Sequence, residues 1–389
     1  MHDILIRGGK VIDPSQGLVG YREVAVKNGK IAALLDPGAG GEAGVTIDAT
    51  GHLVTPGLID LHVHVYPHVP LGLDADLLCT SGGVTTMLDT GSAGCNNFDA
   101  FRRDFIDKAE CQVLALVNLS RAGLVASELG ELMDRRYADP DGVVATIGRN
   151  PGVAVGVKIR AGAHIIGTGK DAWGNLHDAI KAARESKTWL MVHIGECPMS
   201  IPELVSELSR GDVLTHCFKG GTTRVTDDHD RIFDEIRAAR ERGVEFDVGH
   251  GYGSFHWEVA DAALEQGFEP TTISTDLHAM NLHGPVFDLP TTMSKFLMLG
   301  VPIERVVAMS TANPAKTIGL QDQIGTLKVG TVADVTVLEQ LEGQFVFTDS
   351  YRKQRIGKTL LVAAATVLRG KLLPGGGGRR MRFIAGGTH

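Results

Sequence analysis

The stretch Thr55-Pro-Gly-Leu-Ile-Asp-Leu-His62-Val-His64 ends a short apolar run with two histidines. The two-residue period of a β-strand turns both imidazoles to the same side. Paired neutral imidazoles suit a divalent ion, so further ligands are sought at equivalent places along the chain. Counting residues 58–61, eight apolar runs recur, the others being 85–88, 113–119, 153–159, 189–194, 213–215, 244–248 and 272–274. Helical patterns lie between them, as at 171–187 and 228–242. Strand-helix alternation implies a parallel sheet with helices outside, and eight closing units give an α/β protein with a (β/α)8 TIM-like barrel. The longest gap, between Ser120 and Gly152, reads as a helix over 127–136 plus a polar loop whose tip covers the mouth of the barrel.

Chemistry-bearing residues end the later runs. Lys158 follows Val157, His193 follows Val192, His216 follows Thr215 and Asp276 follows Thr275. Barrel enzymes assemble their sites at the C-terminal ends of the strands, and a barrel of about 250 residues spends roughly 30 on each unit. The successive gaps, His64 to Lys158, Lys158 to His193, His193 to His216 and His216 to Asp276, are 94, 35, 23 and 60 residues, which places the ligands on strands one, four, five, six and eight. Lys158 as an ammonium has no lone pair for a metal. Buried among cations its pKa should fall, and the neutral amine can add carbon dioxide to become a carbamate that bridges two ions. Two divalent ions are therefore expected, zinc first, with manganese and iron suited to the same donors. Such a pair lowers the pKa of a bridging water toward neutrality. Arg160 and His278 each lie two residues beyond a ligand and are candidate contacts for a substrate carboxylate or acyl group.

Residues 1–54 alternate apolar and polar between turn signals at Gly8-Gly9, Asp13-Pro14 and Asn28-Gly29, as short antiparallel strands would. A similar pattern returns from Gly325 onward. Residues 1–54 and 323–389 are thus read as one small β-sandwich domain around a barrel domain of 55–322. The glycine-rich tail from Pro374 to Gly378 has no periodicity and is given no role. The glycines around His250 are not a P-loop, since no Lys-Ser/Thr follows, and read as a flexible loop over the pocket.

With 38 basic and 46 acidic residues the chain carries a net charge of −8, and no basic cluster precedes Arg379 and Arg380. That offers no footprint for nucleic acid or anionic lipid, and favours a small-molecule substrate. No apolar stretch approaches the roughly 18 residues that span a bilayer and no secretory signal opens the sequence, so the cytoplasm is the expected location. Five cysteines without CxxC spacing argue for reduced thiols. A homo-oligomer, a dimer first, is the prior expectation.

The string from Thr55 to His64, with Lys158, His193, His216 and Asp276, resembles the binuclear-metal branch of the amidohydrolase superfamily. Asn313-Pro-Ala and the stretch 325–334 resemble that superfamily's return into its small β-sandwich. The resemblance implies that His62 and His64 bind the more buried ion, His193 and His216 the more exposed one, and that carboxylated Lys158 bridges both, Asp276 ligating the buried ion and, as the catalytic group, taking the proton of the attacking hydroxide and passing it to the leaving nitrogen or oxygen. Within the superfamily, Gly156-Val-Lys-Ile-Arg160, Thr275-Asp-Leu-His278 and the stretch 249–255 are similar to the deacetylase-like subgroup often labelled dihydroorotase. Dihydroorotases carry an arginine two residues after the second histidine, gripping the substrate carboxylate, and Tyr66 stands there in this sequence as a candidate substrate contact. The resemblance implies a hydrolase that removes an acetyl-type group from the amide or ester of a small carboxylate-bearing molecule. Cyclic amide hydrolysis of the dihydroorotase or hydantoinase kind is the alternative, and a catalytically silent scaffold is the non-enzymatic one.

Overall fold

The computed structural model describes residues 1–374; Arg379, Arg380 and the end of the glycine-rich tail lie outside them. Seven parallel strands form one sheet in sequence order: Leu58–Val63, Val84–Gly94, Gln112–Asn118, Ala154–Arg160, Trp189–His193, Val213–Thr215 and Glu245–Asp247. The eighth position is an extended segment rather than a regular strand. Thr272 pairs with Asp247 on one side and Leu277 with Val63 on the other, both parallel. Val248 N and His250 N donate to Thr272 O and Ser274 O, while Asp276 N and His64 N exchange bonds with His62 O and Leu277 O. The segment therefore closes the barrel, and the expected eightfold count holds.

Register aligns the rim. Arg160 pairs with His193, His193 with Thr215 and Thr215 with Asp247, so four consecutive strands present polar residues at one level. Just below, Lys158 pairs with Asn118 and Met191. Gly91, at φ +82°, makes room for it, since a Cβ there would stand 2.7 Å from the Lys158 Cβ. The outer helix Gly169–Glu185 buries Ala172, Leu176, Ala179 and Ala183, an i, i+4, i+7, i+11 stripe of mostly small residues that lets the helix lie close to the sheet.

Two helical expectations shift. Residues 127–136 do not form an α-helix: a short 3-10 segment, Gly123–Leu129, is broken by Gly130 at φ +79°. The α-helix of this insertion is Pro140–Arg149, begun by proline in its first turn and capped by Asp139, which accepts from Gly142 N. Likewise the helix expected from 228 starts at Asp234, because the Asp227 carboxylate accepts from His229 N and Arg231 N and holds those residues in a turn.

Both chain ends share a six-stranded sheet in which Leu53–Pro56 lies between Val335–Thr348 and Lys10–Asp13. A four-stranded sheet beside it holds His2–Arg7, Glu23–Lys27, Lys30–Leu35 and Ala43–Asp48. The N-terminal strands are not all antiparallel as expected. Ala43–Asp48 runs parallel to His2–Arg7, because the chain crosses over at 36–42 after the hairpin that occupies the other edge. The long hairpin of Val335–Thr348 and Gln354–Leu368 reaches the barrel, where its turn accepts from Trp257 N through Asp349. Among the described residues no helix is long and apolar enough to cross a membrane.

Candidate metal centre

His62, His64 and Asp276 bring their donor atoms within 4.8 Å of one another at the C-terminal end of the barrel, all three buried. Asp276 Oδ1 lies 3.4 Å from His62 Nε2 and 3.3 Å from His64 Nε2, and Oδ2 lies 4.0 Å from His216 Nε2. His216 Nε2 in turn faces His193 Nδ1 at 2.7 Å, and Lys158 Nζ stands 3.1 Å from His62 Nε2. The six residues expected to act together are contiguous.

The surrounding bonds assign the tautomers. Thr215 Oγ1 donates to Asp247 Oδ2 at 2.7 Å, so it accepts from His62 Nδ1 at 2.8 Å. Ser92 Oγ is bonded to Asp89 and lies 2.8 Å from His64 Nδ1. His216 Nδ1 lies 2.6 Å from Gly249 O, which can only accept. In all three rings the proton sits on Nδ1 and Nε2 turns inward, that of His62 accepting from Lys158 Nζ and that of His216 from His193 Nδ1. Burial holds His62 well below the ordinary histidine range and His216 at about 4, so neither ring is charged at neutral pH. Three Nε2 atoms without a proton of their own thus gather around a buried carboxylate, a donor set that fits a cation.

Backbone geometry reinforces the reading. His216 at φ +70° and Asp276 at φ +49° adopt the left-handed region, which costs a non-glycine residue about 1–3 kcal/mol and persists where surroundings enforce it. Around Asp276, Asn281 is the enforcing group: its Nδ2 donates to Asp276 O at 2.7 Å while its Oδ1 accepts from His278 N at 2.9 Å.

Several contributors escaped the sequence reading. Asp247 accepts from Thr215, Thr272 and Ser274 and supports His62 through the first of these. Asp60 accepts from Thr275 N and Oγ1, and burial raises its carboxyl to about 7. Each lies inside an apolar run, and a carboxylate in such a place was the available signal. Thr215→Val removes the acceptor for His62 Nδ1 without changing shape; it is expected to weaken metal binding about 10–100-fold, measured by competition with a chelator, and unchanged affinity would refute the tautomer assignment.

The substrate candidates fare differently. Arg160 Nη1 pairs with the buried Glu131 at 3.3 Å, a partner supplied by the insertion after the third strand. His278 is buried, its ring centroid 6.4 Å from that of His64. Tyr66 turns elsewhere: its ring stacks on Phe101 at 4.5 Å and meets Phe105 and His68, so it is not retained as a substrate contact. The loop around His250 is not a free flap, since Gly249 N, His250 N and Gly251 N all donate into the eighth segment.

An α/β barrel whose C-terminal rim gathers histidines around a carboxylate is the architecture of metal-dependent hydrolases. Residues 53–361 match the amidohydrolase family, and the chain belongs to it. It is 39% identical over 309 residues, 78% of this chain and 74% of the relative, to "Deacetylase Atu3266" of Agrobacterium fabrum (strain C58). Among solved structures it is similar to an adenine deaminase, with a TM-score of 0.89 and 34% identity over 96% of this chain and 100% of that one. It is also similar to a dihydroorotase, with a TM-score of 0.87 and 33% identity over 95% and 98%.

Proposed function

We propose that the protein hydrolyses the amide or ester bond of a small carboxylate-bearing molecule and releases an acetyl-type group. The observation that carries this reading is the gathering of the His62, His64 and His216 Nε2 atoms around the buried Asp276 carboxylate. Two divalent ions, zinc first, would be held by His62, His64, His193, His216, Asp276 and a carboxylated Lys158. Bound there, they supply an activated water and polarise the scissile carbonyl.

The chain's own groups do the rest. Burial brings Lys158 down to about 7, so part of it is neutral amine at neutral pH; its lone pair can attack carbon dioxide, forming an N–C bond and releasing one proton. The product is a carboxylate in place of a neutral amine, which matches the cations. Asp276 accepts the proton of the attacking water at an Oδ and returns it to the leaving nitrogen or oxygen. His278 orients the acyl group. Arg160, its Nη1 taken by Glu131, offers its remaining donors to the substrate carboxylate.

The similarity to a deacetylase supports acyl removal. Ring opening of a cyclic amide is the second reading, favoured by the likeness to a solved dihydroorotase and opposed by Tyr66, whose aromatic packing leaves no cation at that position. The complete ligand set weighs against a silent scaffold. The discriminating experiment is proton release from metal-loaded protein with N-acyl amino acids, O-acetyl 2-hydroxy acids, dihydroorotate and hydantoins. Turnover of the acyl compounds is expected; turnover of the rings alone overturns the proposal. With the acyl substrate so found, Arg160→Ala should raise KM about 10–100-fold, the worth of one charged hydrogen bond, and leave an uncharged ester analogue unchanged. An equal rise for both would remove the carboxylate role.

A further inference from the structure

Lys295 is completely buried on the helix Leu289–Met298. Its Nζ has three partners: His250 Nε2 at 2.7 Å, Thr348 O at 2.8 Å and Pro285 O at 2.9 Å. The other ring nitrogen of His250 lies 3.0 Å from Gly251 O. Three carbonyl oxygens must each receive a proton and the two side chains must share one, so full pairing needs four N–H groups. A neutral lysine with a neutral histidine supplies three and sets two lone pairs against each other. The pair therefore carries one positive charge, sealed from water by the Phe255 ring stacked on His250 at 4.6 Å.

This charge serves no step of the proposed reaction, but it sits behind the turn 249–251. Gly249 O in that turn fixes His216 Nδ1 at 2.6 Å. Gly251, at φ +59°, lies so close to the acid that a Cβ would stand 2.6 Å from Asp276 Oδ2. From the outer side the tip of the C-terminal hairpin grips the same turn, Ser350 Oγ contacting His250 O at 3.2 Å and Gly251 O at 3.1 Å. Thr348, the Lys295 acceptor, belongs to that hairpin.

We infer that the Lys295–His250 pair and Ser350 are positioning residues: together they clamp the turn 249–251 between barrel and hairpin and so set the orientation of His216 and Asp276. The small sheet domain thereby holds the metal centre in register. This inference rests on the proposed reading that His216 and Asp276 hold an ion, and the test separates the two.

The probe is Co2+, titrated into metal-free protein and followed by its visible absorption, which reports ligand geometry without any substrate. Lys295→Met keeps the length of the side chain and removes the charge; it is expected to weaken Co2+ binding about 10–100-fold and to shift the absorption bands. Ser350→Ala, at a half-buried site that tolerates truncation, should shift both in the same direction by less. Leu176→Ala, a cavity in the outer helix, should lower stability and leave affinity and spectrum as in the wild type. If Lys295→Met does not fold by circular dichroism, Ser350→Ala decides. Wild-type affinity and spectrum in the folded variants overturn the positioning role and leave the proposed function standing, as does an equal loss in Leu176→Ala. Wild-type protein that binds no Co2+ overturns the reading of the site and this inference with it.

Discussion

Asp276→Asn is expected to keep its metal ions and lose about 10²–10⁴-fold in kcat, the usual worth of a positioned general acid-base group. The amide retains an oxygen where Oδ1 faces His62 and His64 at 3.4 and 3.3 Å, so a ligand atom survives. What it cannot do is accept a proton, because its pKa as a base lies far below that of a carboxylate. The same substitution leaves the Asn281 bond to the main-chain oxygen untouched, so the left-handed backbone at this position should persist. The check is kcat on the acyl substrate beside metal content by mass spectrometry. A variant that turns over at the wild-type rate removes Asp276 from the proton role. One that loses its ions makes it a ligand first.

Lys158→Ala is expected to lose at least about 10²–10³-fold, the scale on which removing one charge-stabilising group acts in such sites, and to recover on addition of formate, acetate or propionate. The physical reason is charge. Burial brings the lysine to about 7, and its Nζ lies against His62 Nε2, where an ammonium would repel a bound cation and a carbamate would complete its charge. A free carboxylate can enter the space left by the side chain, which Gly91 and Asn118 wall off, and take the role of the lost bridge. Rescue rising with acid concentration and saturating supports carboxylation. Full activity of the variant without any acid refutes it, and loss without rescue favours a lysine that acts as an amine.

How much of this was legible beforehand differs from residue to residue. The eight apolar runs and the five strand-end positions follow from local pattern, because strand period and unit length are properties of the chain alone. The helix expected at 127–136 does not form because Gly130 takes a positive φ, which local apolar pattern does not announce. Tyr66 was misplaced for a different reason. It follows the His62-Val-His64 alternation in sequence, yet Phe101, 35 residues away, captures its ring. Glu131, which occupies Arg160, lies in the insertion that local pattern described least well.

The sequence by itself determined the barrel and the small sheet domain contributed by both ends, and it named the six residues proposed to hold metal, since all of these rest on periodicity and side-chain type. Only the tertiary structure decided which nitrogen of His62, His64 and His216 carries the proton, that His216 and Asp276 are held at positive φ, and that a buried Lys295–His250 charge and a hairpin about a hundred residues downstream grip the turn beside them. Those facts depend on which acceptor meets which donor. That is settled by packing between segments far apart in the chain, where no local spacing carries the information.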